Sequence, residues 1–243
     1  MSISQATLGK LAQYDTPTIC NLIELFEVRS QSEGYMDHRI KSCFPEMPPM
    51  VGYAATAAFR SAAPPDGGAV YGSLHQQLEQ MAELAGPAVI VIQDLDDPPA
   101  AAVFGEVMCS TYRAFGAAGL VTSGAGRDLS QVRAIGFPVF TGGTISAHGY
   151  CHLLHVGLPV RVGGVVVRTG ELLHGDENGV TSIPLEIANE MADVADEFVG
   201  LEKEVIQYMQ GAAEKSRARG GELLSQLSAA VGTLKKRLSR KRD

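Results

Sequence analysis

The chain reads as an α/β domain with a helical C-terminal extension. Three observations predict this. Ala88-Val89-Ile90-Val91-Ile92-Gln93 is a continuous apolar run of the kind that forms a central parallel strand buried on both faces. Stretches of helical periodicity precede and follow it, and the elements are separated by glycine and proline breaks. At 243 residues the chain is long for one domain, but α/β folds of about 200–250 residues often form a single unit.

Taken in order, Tyr14-Asp15-Thr16-Pro17-Thr18 supplies an N-cap and an early proline before Ile19, Leu22, Ile23, Leu25 and Phe26 repeat at helical spacing. Met50 to Phe59 reads as a strand between Pro48-Pro49 and the loop Pro64-Pro65-Asp66-Gly67-Gly68. Val70 to Ala85 carries Leu74, Leu78, Met81 and Leu84 on one helical face and stops at Gly86-Pro87. The apolar strand then discharges into the acidic loop Asp94 to Pro99, and loops after such strands are where α/β proteins place sites. Ala100 to Phe115 reads as one helix, Leu120 to Ser123 as a strand, Gly124 to Asp128 as the next strand-end loop, Leu129 to Ile135 as a short helix and Phe137 to Phe140 as a strand.

Beyond Gly149 the pattern changes to short strands, Leu158 to Val162, Val165 to Arg168 and Val180 to Ile183, with turns at Gly163-Gly164 and Asn178-Gly179 that suit antiparallel pairing. From Pro184 onward Ile187, Met191, Val194, Phe198, Leu201, Val205 and Met209 form a helical stripe, with a break expected near Gly220-Gly221.

Hydrophobic residues make up 45% of the chain and charged residues 19%, enough to fill a core and too apolar for a disordered segment. The four cysteines are widely spaced and contain no CxxC, which argues against a zinc knuckle or a disulfide framework and for a reduced, cytoplasmic setting. No signal peptide and no membrane span are expected. Net charge is −7, yet residues 215–243 hold nine Lys/Arg against two acids, so the remaining chain stands at −14. An acidic body and a tail without stacking aromatics argue against nucleic acid as a partner.

Two strand-to-loop junctions carry the chemistry. Parallel neighbouring strands would bring Gly105-Glu106-Val107-Met108 and Gly124-Ala125-Gly126-Arg127-Asp128 to one sheet edge. Glycine backbone lets a ligand approach closely, and helix-start N–H groups bind a carboxylate. Arg127 offers a fork for that carboxylate, and Asp128 a hard oxygen for Mg²⁺ or Mn²⁺, ions that keep several waters. Glu106 could orient a water that shuttles a proton. A plainer reading stands beside this one: Arg-Asp in a loop is ordinarily a solvated pair, and Asp128 is placed to cap the helix starting at Leu129. His152 and His155 have ligand-like spacing, and Gly175 to Gly179 resembles half a calcium loop, but strand-end histidines and a hairpin turn explain them better. His148 is retained as a pocket candidate.

The stretch GEVMCSTYRAFGAAGLVTSGAGRDLSQVRAIGFPVF, Gly105 to Phe140, resembles the signature segment of the RraA-like proteins. This family includes the 4-hydroxy-4-methyl-2-oxoglutarate aldolases, or class II pyruvate aldolases. DTPTICNLIE, MVGYAATA and PVRVGGVVVRTGELLHGDENGVTSIP extend the resemblance, in order, over residues 14–210. The resemblance implies a three-layer β/β/α swivelling-domain fold, trimers or hexamers, and sites between subunits. It divides the chain into a catalytic domain at 1–210 and a basic helical tail at 211–243. It makes Asp128 the metal ligand, Arg127 the contact to the substrate carboxylate and oxo group, and Gly105, Glu106, Val107 and Met108 the backbone cradle for a small 2-oxoacid. Glu106 stands where the aldolases often carry Asp. A further carboxylate from a neighbouring subunit matches Glu204 or Glu202. The implied activity is cleavage of a 4-hydroxy-2-oxoacid to release pyruvate, with decarboxylation of oxaloacetate by related chemistry. The alternative is a non-catalytic RraA-like protein that covers and inhibits a ribonuclease or other partner.

Overall fold

Asp15 opens the first long helix because its carboxylate accepts the Thr18 N–H at 2.8 Å, while Pro17 occupies the first turn, where a missing N–H costs nothing. This computed structural model describes residues 3–65, 72–212 and 214–241. After α1 (Gln5–Leu11), the capped helix α2 (Thr16–Phe26) buries Ile19, Leu22, Ile23, Leu25 and Phe26, the face the spacing predicts.

A short β1 (Lys41–Ser42) and a long β2 (Met50–Arg60) follow, then α3 (Gly72–Ala82) and β3 (Ala88–Asp94). Val70, the expected start of α3, and Asp66 to Gly68 of the expected loop lie outside the described residues. The predicted helix from Ala100 to Phe115 is instead a strand and a helix, β4 (Ala102–Phe104) and α4 (Glu106–Ala114). Val103 and Phe104 are buried, Ala102 donates its N–H to the Ala147 carbonyl at 2.8 Å, and Gly105 remains extended, so the helix starts only at Glu106.

The chain continues through β5 (Ala117–Thr122), β6 (Ala125–Gly126), α5 (Leu129–Ala134), β7 (Val139–Thr141) and β8 (Gly143–Thr144). The second half adds β9 (His152–Leu154), the hairpin β10 (Val160–Val162) and β11 (Val165–Val167), and the hairpin β12 (Leu172–Asp176) and β13 (Gly179–Ile183).

The main sheet runs β1-β7-β5-β3-β2-β12-β13, with β2, β3, β5 and β7 parallel and the outer strands antiparallel. Residue alternation along β3 sorts the two faces. Ile90 and Ile92 pack with Met108, Tyr112 and Val132 under α4 and α5, whereas Val89 and Val91 pack with Val160, Val162 and Val167 of the β10–β11 hairpin. The result is the three-layer β/β/α arrangement. A third cluster joins α1 and α2 to β12 and β13 and to the C-terminal helices α6 (Ala188–Gln210) and α7 (Arg217–Leu238).

The expected break at Gly220-Gly221 falls elsewhere, between Gly211 and Ser216, because the Ser216 hydroxyl caps α7 by accepting the Arg219 N–H. Gly220 lies inside α7, where its missing side chain leaves room for Met209. The basic tail packs on its own body. Leu234 and Leu238 enter the α2 cluster, Lys235 and Lys241 each lie 3.2 Å from Glu27, and Arg237 and Arg240 pair with Glu197 and Glu190. Among the described residues no helix is long and apolar enough to cross a membrane.

Candidate functional site

A second, small parallel sheet, β4-β6-β8, brings the two candidate segments together. Ala102 pairs with Ala125 and Phe104 with Gly126, so residues 105–108 and 127–128 leave adjacent strands at the same edge. The Arg127 N–H donates to the Phe104 carbonyl at 3.0 Å. Gly126 is required by contact: a Cβ there would sit 2.2 Å from Cζ of the buried Phe104 ring.

Asp128 occupies the N-cap position of α5 with φ 56°, a left-handed conformation that Asp tolerates better than most residues. Its carboxylate makes no hydrogen bond to that helix, which sets aside the capping part of the plainer reading. Oδ2 instead accepts the Glu106 N–H, at the start of α4, at 3.1 Å and lies 3.6 Å from Arg127 Nε. Gly105 makes the approach possible, since a Cβ on it would be 2.6 Å from Asp128 Oδ2 and 3.0 Å from Arg127 Nε. About a third of each side chain remains exposed, 32% for Arg127 and 35% for Asp128. The remaining first-turn N–H groups of α4, those of Val107 and Met108, have no i−4 partner within the helix.

Glu106 is exposed in the first turn of α4, where a carboxylate is favoured by the helix dipole. Val107 is exposed and Met108 buried. His148 and Cys151 join Gly105, Val107, Met108 and Arg127 around a small pocket of about 30 Å³. The His148 Nδ1 lies 2.8 Å from the Gly149 carbonyl. Burial pushes the Cys151 thiol upward, against the pull of Arg127. Glu204 is not brought to this site within the chain: it lies on α6 and pairs with Arg219 of α7 at 3.1 Å, while Glu202 lines a groove with Glu24 and Lys235. A larger open groove of about 610 Å³ beside Arg29, Val166 and Leu185 includes neither Arg127 nor Asp128.

Among the described residues no three His, Cys, Asp or Glu side chains converge on one point. His152 Nδ1 meets the Tyr150 carbonyl at 2.7 Å. His174 is a fully buried core residue between Thr16 Oγ1 and the Leu11 carbonyl. Gly175 to Gly179 is the tip of the β12–β13 hairpin, with Glu177 and Asn178 as its turn. The Asp128 carboxylate is the donor that fits a metal. Among the described residues its Oδ1 takes no hydrogen bond, and its partial exposure leaves room for the waters a hard divalent ion retains.

The loop after β3 reads as site-bearing from its place at a strand end, but the sequence singles out no residue there. The structure singles out Asp94 and Asp96: Asp94 Oδ2 is buried beneath Gly124 with no hydrogen-bond partner among the described residues, and Asp96 accepts bonds from Ser61 and Ala62. The available signal was the position of Asp94 as the first acid after the apolar run.

Residues 16–181 match the RraA-like family, Aldolase/RraA. The chain belongs to this family. Over 101 residues it is 35% identical to a Halalkalibacterium halodurans protein named "Putative 4-hydroxy-4-methyl-2-oxoglutarate aldolase", a match covering 41% of this chain and 48% of that protein. The chain thus spans about half the length of this curated relative. Two solved structures share the RraA-like fold. An uncharacterized protein from Pseudomonas syringae pv. tomato superposes with a TM-score of 0.69 at 22% identity over 96% of both chains. Streptomyces coelicolor RraAS2, described as an unusual member of the RNase ES inhibitor RraA protein family, gives 0.65 at 20% identity over 84% of this chain and 97% of its own.

Proposed function

We propose that the chain is a divalent-metal-dependent carbon–carbon lyase acting on small 2-oxoacids. Its reaction is the retro-aldol cleavage of a 4-hydroxy-2-oxoacid to release pyruvate, with oxaloacetate decarboxylation open to the same site. The observation that carries this reading is the close packing of Gly105 against Asp128 Oδ2 and Arg127 Nε, which gathers a hard oxygen donor, a guanidinium and helix-start N–H groups at one edge.

Asp128, with water, would hold Mg²⁺ or Mn²⁺, which when bound supplies Lewis acidity toward the 2-oxo group. Arg127 binds the substrate carboxylate and offsets the negative charge developing on the 2-oxo oxygen. The N–H groups of Val107 and Met108 add to that anion cradle. Glu106 holds the water that takes the proton from the 4-hydroxyl as the C3–C4 bond breaks, and C3 of the departing pyruvate is protonated in turn.

A pocket of about 30 Å³ holds roughly one water, so the reading includes completion of the site by another copy of the chain. That copy belongs to a trimer or hexamer and supplies Glu204, with His148 on the pocket wall. Residues 1–210 carry the site and 211–243 the tail, in a cytoplasmic protein.

The test is pyruvate release from 4-hydroxy-4-methyl-2-oxoglutarate and oxaloacetate with added Mg²⁺ or Mn²⁺, against a no-enzyme control. Asp128→Ala and Arg127→Ala should each reduce turnover by about 100-fold or more. If no oxoacid is turned over with either metal, the lyase reading fails. The reading left standing is then a non-catalytic protein that acts by covering a partner, the kind of role named for the family of the Streptomyces relative.

A further inference from the structure

Asp94 ends β3, the middle strand of the parallel sheet, and is only 9% exposed. Its N–H donates to Ser123 Oγ at 2.9 Å and its Oδ1 accepts the Asp96 N–H at 3.0 Å. Oδ2 is buried with no hydrogen-bond partner among the described residues. A Cβ placed on Gly124 would meet that oxygen at 2.6 Å and Val103 Cγ2 at 2.4 Å, so Asp94, Val103 and Gly124 share one contact point. Val103 precedes Gly105 in β4, and Gly124 opens the loop that reaches Arg127 and Asp128. Asp94 therefore packs under the roots of both segments of the site.

Its neighbour extends the contact to the third segment. Asp96 Oδ2 accepts the Ser61 and Ala62 N–H groups at 2.7 and 2.9 Å. The Ser61 carbonyl accepts the Tyr150 N–H at 3.0 Å, and a Cβ on Gly149 would lie 2.8 Å from that carbonyl. Gly149 in turn meets His148. An unbroken series of contacts thus runs from Gly124 through Asp94, Asp96 and Ser61 to the pocket wall at His148.

We propose that Asp94 is a positioning residue that sets the Arg127–Asp128 loop, through Gly124, and the His148 segment, through Asp96 and Ser61, in fixed relation to each other. This rests on the reading of Arg127 and Asp128 as the substrate site. The carboxyl also gives the linkage a pH signature, because burial raises it to about 6, opposed by the hydrogen bond from the Asp96 N–H and helped to a smaller extent by the Asp96 charge. The titratable groups nearest it are Asp96 and, next along its own loop, Asp97; Arg60 at the end of β2 lies 3.7 Å from Asp96, and His152 of β9 stands opposite Arg60 in the strand register. From β4 and the 123–124 turn, Val103, Ser123 and Gly124 lie against it, and none of the three titrates.

The sign follows from proton linkage. Between the ordinary value near 3.8 and about 6 the closed arrangement holds a proton that an opened one releases, so opening becomes easier as pH rises and levels off above 6. Amide hydrogen exchange of the whole chain, corrected for intrinsic rates and read on residues 122–129 and 148–151, tests this. Wild-type protection in both segments should fall between pH 4 and 6, by up to about tenfold per unit, and be level above. Asp94→Asn, neutral and of the same shape, should show no such fall. Asp94→Ala at pH 7 should expose both segments while the α1 and α6 amides keep their protection. An unchanged pH response in Asp94→Asn, or exposure of one segment without the other, overturns the proposal; the wild-type profile alone decides it if Asp94→Ala does not fold. Pyruvate release with no exchange signature would uphold the lyase reading and sink this one. The exchange signature without pyruvate release on any oxoacid would do the reverse.

Discussion

Asp128 Oδ2 accepts the backbone N–H of Glu106 at 3.1 Å, and this bond joins the start of α4 to the turn that opens α5. It also fixes the carboxylate beside Arg127, 3.6 Å from Nε, so the two charged groups are held by the backbone of a different strand-to-helix junction.

Gly105→Ala should separate function from stability. The new methyl would fall 2.6 Å from Asp128 Oδ2 and 3.0 Å from Arg127 Nε, so it displaces these two partly exposed side chains and not the buried core. Unfolding free energy in urea should change by less than about 1 kcal/mol. Mn²⁺ affinity, measured by titration calorimetry, should drop by roughly 10–100-fold. Unchanged metal affinity would contradict this.

Gly126→Ala should do the opposite. Its Cβ would land 2.2 Å from Cζ and 2.7 Å from both Cε atoms of Phe104, a buried ring with nowhere to go. A stability loss of about 1–3 kcal/mol is expected from such overpacking, read from the urea midpoint at constant slope.

Glu106→Asp shortens the exposed acid of α4 by one methylene and leaves its N–H bond to Asp128 in place. Turnover of 4-hydroxy-4-methyl-2-oxoglutarate should be maintained or improved. Complete loss of activity would mean that the longer side chain serves a different substrate.

His174 should make the fold acid-sensitive. Burial lowers its pKa below the ordinary 6.5. As pH falls through 6.5 the unfolded chain takes up a proton that the folded chain refuses, so this residue's contribution to stability declines with acidification. His174→Gln should cost stability at pH 7.5, and its deficit relative to wild type should shrink towards pH 5.5. A deficit independent of pH would show that the imidazole does not titrate on unfolding.

Local signals were legible in the sequence, and pairings between short, distant segments were not. Asp15 and Pro17 announce α2, and the run from Ala88 announces β3, because each signal is carried by adjacent residues. The three residues of β4 were absorbed into a predicted helix because their partner, β6, has only two residues and lies about twenty positions away. β12 escaped because Gly175 and Asp176 look like turn residues, yet Asp176 is buried and accepts the Thr16 N–H at 2.8 Å. Likewise Arg127 and Asp128 could be named from the sequence as a candidate pair, but the contact with Gly105 that gives the pair its geometry depends on tertiary structure. Asp94 is silent for the same reason, since an acid at a strand end gives no sign in sequence of what lies above it.

The split pairing of β2 has a consequence for the growing chain on the ribosome. Its first residues pair with β12 and its last with β9, segments about a hundred residues downstream. Until those segments emerge, this eleven-residue strand, buried along nearly its whole length in the finished fold, keeps one edge open. An unpaired apolar edge is a template for intermolecular association, so the interval between synthesis of β2 and of β12 leaves this strand open to pairing with another chain.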